Sequence, residues 1–346
     1  MFNNYISQKI MATNSNSLQN QLFENIKNLI PSQASFPDEM ADLLGVSKDS
    51  AYRRLRGETA LTIDEVNKLC THYKISFDAL GHNLSSTVSF DYNSLLLNED
   101  GFKEYLTSIY KTLSRLTKLE NKQVYYFAED VPLFHHFKYL ELSTFKMFYW
   151  LKSVMNVPSM EGKKFNPGII SDELIELGKN VYETYSKIPS VEIWTESTVF
   201  STLKQIEYCW DSGQFFSKKD AIVVCEKLIV TLEDIQRQAE LSYKNINAGC
   251  KADTGSYMLY NCEIEIGNNC ILVKAGETKM VYITHMTFNK LITPHKAFCN
   301  DTEEWMHNLI KKSVLISGSS EKLRYKFFNK ALASVKKLIK SIEGSD

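Results

Sequence analysis

Apolar residues recur every three or four positions in the first part of the chain, which predicts short amphipathic helices. Residues 18–30 carry Leu22, Phe23 and Ile26 on one face, and Pro31 ends this helix. The same spacing predicts four further helices over residues 36–44, 48–56, 63–70 and 75–80. These five helices make up a domain over residues 18–81. A disordered start over 1–17 precedes it and a linker over 82–98 follows it.

The third helix has well-defined ends. Ser47 is a strong N-cap, because its hydroxyl can accept from the free N–H groups of the first turn. Gly57 can adopt the left-handed conformation that ends a helix. Ala51 and Leu55 share one face, which faces the core. With the second helix and the turn at Gly45, the segment predicts a helix-turn-helix.

Residues 99–246 are dominated by helical patterns. Long amphipathic stretches cover 102–116, 142–155, 171–188, 195–210 and 217–243. Gln123–Ala128 has strand composition but could also pack as irregular structure. The aromatic cluster from Tyr125 to Trp150 could line a ligand pocket, although packing in the core and at interfaces is the simpler interpretation.

The pattern changes near residue 247. Alternating residues over 257–266, 270–274 and 279–284 predict a β-meander with tight glycine turns. A helix over 302–312, a short buried strand over 313–317 and a helix over 321–342 complete a C-terminal α+β region over 247–346. The predicted fold class is therefore mainly α: a five-helix helix-turn-helix domain, a helical middle region and a meander-containing α+β subdomain.

The segment from Met40 to Gly57 resembles the helix-turn-helix of Cro/C1-type (XRE) repressors. Ala41, the run Leu44-Gly45-Val46-Ser47 and Gly57 stand where that family has its alanine, turn and final glycine. The resemblance implies a transcriptional regulator that binds double-stranded DNA as a homodimer, on half-sites about one helical turn apart. Arg54 departs from the family, which often has a bulky apolar residue there, and Leu55 takes that packing role.

The outer face of the third helix is the predicted DNA-binding surface. Ser47 caps it, and the candidates for contacts with or near bases are Lys48, Asp49, Ser50 and Arg53. Candidates for phosphate contacts or support are Tyr52, Arg54 and Arg56. The alternative is an ordinary solvated face of a small helical hairpin.

Charge constrains how such a surface can work. The chain of 346 residues has a formal net charge of -1, and residues 1–85 contain eight Lys/Arg against nine Asp/Glu. Since no global field attracts DNA, the few cations of the third helix must supply most of the attraction, and dimerisation must multiply it.

Other chemistry receives little support. The seven cysteines form no Cys-x-x-Cys pair, so neither a zinc site nor a disulfide framework is expected, and reduced thiols fit a cytoplasmic protein. The sequence contains no run of 18 apolar residues, so no membrane span is predicted. No catalytic or dinucleotide motif appears, so we expect neither an enzyme nor a cofactor.

Two minor sites remain as hypotheses. Gly318, Ser319 and Ser320 lie between a predicted strand and a helix, where free N–H groups could hold an anion, although a plain capped turn is the simpler interpretation. The adjacent pair His135-His136 has no third ligand nearby in sequence, so polar-tipped packing among aromatic residues is the simpler interpretation. The set His285, His295 and Cys299 could bind a metal only through coincidental folding.

The sequence favours a sequence-specific DNA-binding regulator whose C-terminal region dimerises and senses a small-molecule ligand. Two alternatives stay open. The C-terminal region could be an enzyme or effector that the helix-turn-helix regulates, or the chain could be a protein-interaction scaffold that uses residues 100–245.

Overall fold

A computed structural model describes residues 17–27, 35–73, 87–244, 256–265 and 267–344. The chain divides into two compact units, Met1–Ser89 and Phe90–Asp346. Five expectations fall wholly or partly outside the described residues: the disordered start, the end of the first helix at residues 28–30, the fifth helix over 75–80, the first part of the linker over 82–98 and the last residue of the strand over 257–266.

The described part of the first unit contains four helices. They are α1 (Leu18–Lys27), α2 (Phe36–Leu44), α3 (Lys48–Leu55) and α4 (Ile63–Tyr73). Their apolar faces meet in one core, in which Leu22, Ile26, Met40, Ala51 and Leu69 are almost completely buried. Four of the five predicted helices are therefore confirmed.

The second unit combines helices with a sheet. Its helices are α5 (Glu99–Leu116), α6 (Leu140–Tyr149), α7 (Asp172–Tyr185), α8 (Phe200–Asp211), α9 (Lys218–Leu241), α10 (Lys296–Lys312) and α11 (Glu321–Gly344). Short 3-10 helices cover Leu133–Phe137, Pro158–Met160 and Glu196–Val199, and a π-helical turn over Trp150–Val154 continues α6. Among the described residues, no helix is both long and apolar enough to cross a bilayer.

The described strands form one sheet of eight. They are β1 (Asp91–Tyr92), β2 (Lys122–Ala128), β3 (Ser190–Trp194), β4 (Tyr257–Asn261), β5 (Cys270–Ala275), β6 (Thr278–His285), β7 (Asn289–Thr293) and β8 (Val314–Leu315). Their order is β1-β7-β6-β5-β2-β3-β4-β8. The central strands β2, β3 and β4 are parallel, and all other pairs are antiparallel. Parallel neighbours need long crossovers, and helices α6 to α9 lie within them.

Both faces of the central strands are buried. On one face, Tyr126, Trp194 and Tyr257 belong to a large core with α5, α6, α7, α9 and α11. On the other face, Phe127 and Ile193 pack with residues of α10. Strands covered on both faces are typical of parallel sheets.

The mainly α class with a strand-containing subdomain is confirmed, but the sheet unites regions that the sequence separated at residue 247. Strands β2 and β3 come from the predicted helical region and pair directly with β5 and β4. Local periodicity misses this, because pairing partners lie tens of residues apart in the chain.

Individual strands also differ from expectation. Strand β3 was not predicted, because its five residues form a short segment between two longer predicted helices. Strand β7 was not predicted either. The strand expected over residues 313–317 is only the two-residue β8, which is exposed at the sheet edge instead of buried. Helix α10 begins at Lys296, six residues before the predicted start.

A buried carboxylate organises the centre of the second unit. Glu192 on β3 is completely buried. Its oxygens lie 3.0 and 3.2 Å from His135 Nε2, and they accept hydrogen bonds from Tyr185 Oη (2.7 Å), Trp194 Nε1 (3.0 Å) and Tyr257 Oη (3.2 Å). Burial by itself would raise the pKa of the Glu192 carboxyl. His135, Lys244 and the donated hydrogen bonds outweigh that effect and lower the pKa.

Replacement of this carboxylate tests its structural role. Glu192→Gln replaces an oxygen that accepts hydrogen bonds with an amide that donates them, so buried donors lose their partner. We expect the free energy of unfolding of the second unit to fall by about 3 kcal/mol in urea denaturation. The matched variant Glu207→Gln, at an exposed position of α8, should leave it unchanged. Equal stability of the two variants would contradict this role.

Candidate nucleic-acid interface

The turn between α2 and α3 depends on a left-handed residue. Gly45 has φ 70° and ψ 37°, and its N–H donates to Ala41 O at 2.9 Å. The N–H of Val46 donates to the same oxygen at 3.0 Å. Side chains other than glycine rarely adopt this conformation, so the glycine determines the direction in which α3 leaves the turn.

Both ends of α3 form as the sequence predicts. The Oγ of Ser47 accepts a hydrogen bond from the Ser50 N–H at 3.3 Å, which confirms the N-cap. Gly57 has φ 74°, the left-handed conformation expected just after the helix. Ala51 is buried, and Leu55 packs against the same core from a half-buried position. The apolar side of α3 thus faces inward.

The opposite side of α3 is exposed and charged. Lys48 pairs with Asp38 at 2.8 Å, Arg53 with Asp49 at 3.1 Å, and Arg56, just past the helix, with Glu58 at 3.1 Å. Its hydrogen bond with Asp38 raises the pKa of Lys48, which keeps the amine charged. Exposed pairs of this kind contribute little free energy, so a phosphate or a base edge can replace the carboxylate at small cost.

Three more candidate residues complete this surface. Tyr52 is exposed beside Arg53. Asp49 is exposed as the partner of Arg53, and Ser50 is half-buried next to the N-cap. The structure therefore brings Lys48, Asp49, Tyr52 and Arg53 together on one accessible face.

Arg54 differs from these cations. Its Nη2 and Nε lie 2.8 and 3.1 Å from Glu65 Oε1, and its Nη1 donates to Ser50 O at 3.2 Å. Only 15% of its side chain is exposed. Of the two roles predicted for Arg54, phosphate contact or support, these contacts are those of support. Arg54 ties α3 to α4.

The side chain of Gln19 provides a second support for α3, which the sequence did not predict. The Nε2 of Gln19 donates to Arg54 O (2.8 Å) and Thr59 O (2.9 Å), and its Oε1 accepts from the Leu61 N–H at 2.9 Å. One amide of α1 thereby holds the segment that follows α3. No local signal marks Gln19, because all its partners lie at least 35 residues away.

The start of α4 was predicted correctly. Thr62 Oγ1 accepts from the Glu65 N–H at 3.2 Å, and Glu65 Oε2 accepts from the Thr62 N–H at 2.9 Å. This reciprocal pair is a capping box. Glu65 therefore both caps α4 and holds Arg54.

The segment at Gly318, Ser319 and Ser320 makes internal contacts. The N–H of Gly318 donates to Ala239 O at 2.9 Å, and its carbonyl accepts from the buried Arg324. These are the contacts of a structural turn, and an anion-binding role for the three residues stays a prediction.

The histidines are used in packing and hydrogen bonds. His135 contacts Glu192, and the Nε2 of His136 lies 3.1 Å from Thr202 Oγ1. Within the described ranges, no group of three or more His, Cys, Asp or Glu side chains is arranged to hold a metal ion.

The residues that form this surface lie within a segment that matches a known protein family. Residues 21–94 match the BetR domain, a helix-turn-helix-like DNA-binding regulator domain. At this level the chain is a DNA-binding transcription regulator. The match includes most of α1, all of α2 to α4, and β1. Searches of curated proteins and of solved structures found no match.

The contrast between Arg54 and Arg53 can be tested. Arg54→Met removes charge-assisted hydrogen bonds that connect α3 to α4, so it should destabilise these helices by about 2 kcal/mol. We expect amide hydrogen exchange in residues 47–73 to become roughly thirtyfold faster, measured by mass spectrometry on the full chain. Arg53→Met, which loses only an exposed pair, is the control. Equal exchange rates in the two variants would refute a supporting role for Arg54.

Proposed function

We propose that this protein binds a defined operator as a cytoplasmic homodimer, with α3 in the major groove in the manner of the Cro/C1-type (XRE) repressors it resembles. The second unit supplies the dimer contacts and senses a small-molecule ligand. The observation that supports DNA reading most directly is the exposed face of α3, where cations are held only by exposed carboxylates.

The position of each residue along α3 indicates whether it contacts bases or phosphates. In helix-turn-helix proteins the N-terminal residues of the second helix contact base edges. In α3 these are Lys48, Asp49 and Ser50, with Arg53 one turn further on. Arginine can donate two hydrogen bonds to guanine, which makes Arg53 the strongest candidate for base reading. Tyr52 and Arg56 are assigned to the phosphate backbone.

Charge explains why a dimer is needed. The affinity of non-specific binding rises with each phosphate that a protein neutralises. One α3 brings few cations, and the acidic residues of the first unit outnumber its basic ones. Two copies on a palindromic site double the contacts and align them with the symmetry of the DNA.

Removal of Arg53 tests DNA reading. Arg53→Ala should weaken binding to a fragment of the protein's own upstream DNA by roughly tenfold or more, because one good base contact contributes about 1–3 kcal/mol. Gel shifts over a salt series measure this effect, and far-UV circular dichroism checks folding. Lys27→Ala, which removes another exposed helical ion pair, on α1, is the control. Unchanged affinity of a folded Arg53→Ala protein would refute the assignment.

The oligomeric state gives a separate test. Sedimentation equilibrium should give twice the mass of one chain, and footprinting should protect two half-sites roughly 10 base pairs apart. A chain that remains monomeric while it protects a single half-site would contradict the dimer.

A further inference from the structure

The second unit contains a cavity of about 100 Å³ between α5 and the part of the sheet formed by β2, β5, β6 and β7. Most of its wall is aliphatic and aromatic. Representative side chains are Ile109, Leu113, Val124, Phe134, Trp150 and Phe288. Concave apolar sites with a few polar groups are typical of small-molecule binding.

One polar side chain in the wall, Asn269, already has hydrogen-bond partners within the protein. Asn269 is buried, and its Nδ2 donates to Asp130 Oδ1 at 2.9 Å. Its Oδ1 accepts from the Glu129 N–H at 2.8 Å. The carboxyl side chain of Asp130 also lines the wall, and a carboxyl group there disfavours a ligand with two negative charges, such as a phosphate.

Among the described residues that line the wall, Lys290 of β7 is the one cation. Its Nζ lies 5.8 Å from the ring centroids of both Tyr105 and Tyr282, and 3.4 Å from Ser108 Oγ. Among the described residues it makes no ion pair, in contrast to the lysines of β5 and β6, which both pair with Glu303. Burial lowers the pKa of its amine, so this environment does not compensate the charge fully.

We propose that this cavity binds a small monocarboxylate with an aromatic or short aliphatic body, whose carboxylate pairs with Lys290. One ammonium group matches one carboxylate in charge. The apolar wall accepts the body of the ligand. A cavity of about 150 Å³ holds a benzene molecule. Because the cavity in this protein is smaller, at about 100 Å³, one ring or a short chain is the upper limit for the body of the ligand.

The position of Lys290 connects the site to the start of the second unit. Tyr92 of β1 pairs with Leu291 of β7, and the Nδ2 of Asn289 donates to Asn93 O at 3.0 Å. Strand β1 is the first element after the chain leaves the first unit. A ligand on Lys290 therefore binds next to the strand that continues from the DNA-binding unit. A sensing role for the site rests on the proposed function, whereas ligand binding does not.

Titration calorimetry on the full chain tests the site with two acids, phenylacetate and hexanoate, and their neutral amides. At least one acid should bind at least tenfold more tightly than its amide. Lys290→Gln should abolish this preference, and Thr284→Phe, which fills the cavity from β6, should weaken binding of both forms. Lys322→Gln, at an exposed position of α11, is the matched control and should bind like the unmodified protein.

Three outcomes would overturn the proposal: no binding of either acid at about 10 mM, equal affinity for acid and amide, or an unchanged preference in a folded Lys290→Gln protein. Because the calorimetry samples contain no DNA, the measured ligand affinity is independent of operator binding. A failed gel shift with normal ligand binding would refute the proposed function and leave the site intact.

Discussion

The second unit depends on the buried carboxylate of Glu192. Its hydrogen-bonding partners come from four places in the chain: the 3-10 helix at His135, helix α7 at Tyr185, strand β3 itself at Trp194, and strand β4 at Tyr257. A charge without water is tolerated only when its partners satisfy it. The position of each surrounding element is therefore coupled to one side chain on the middle strand of the parallel trio.

In the first unit, the exposed side of α3 is held by weak interactions, in contrast to the buried network around Glu192. On the inner side, α3 is held by buried Ala51, by the Arg54–Glu65 pair and by the amide of Gln19. Its outer side carries only exposed ion pairs, which cost little to exchange. A rigid support beneath replaceable contacts suits the role proposed for α3, because binding then orders few groups and loses few stable interactions.

The cavity and the Glu192 network share a wall. Tyr185 lines the cavity and also donates to Glu192, and its ring stacks on Phe134 with centroids 4.0 Å apart. The side of the cavity on the central strands is thereby fixed. The side formed by β6 and β7 carries Lys290 and continues to β1. A preformed wall lowers the conformational entropy that the protein must lose when a ligand binds.

Local signals are enough to predict the helix-turn-helix, since the Ser47 cap, the Gly45 turn, the Gly57 stop and the Thr62–Glu65 box each act within a few residues. They also indicated most helices and the meander. Tertiary contacts, in contrast, put the regions on both sides of residue 247 in one sheet, join Arg54 of α3 to Glu65 of α4, and place Lys290 in the wall of a mostly apolar cavity. These features depend on partners far apart in the chain, such as His135 and Tyr257 around Glu192, and local periodicity carries no information about such pairs.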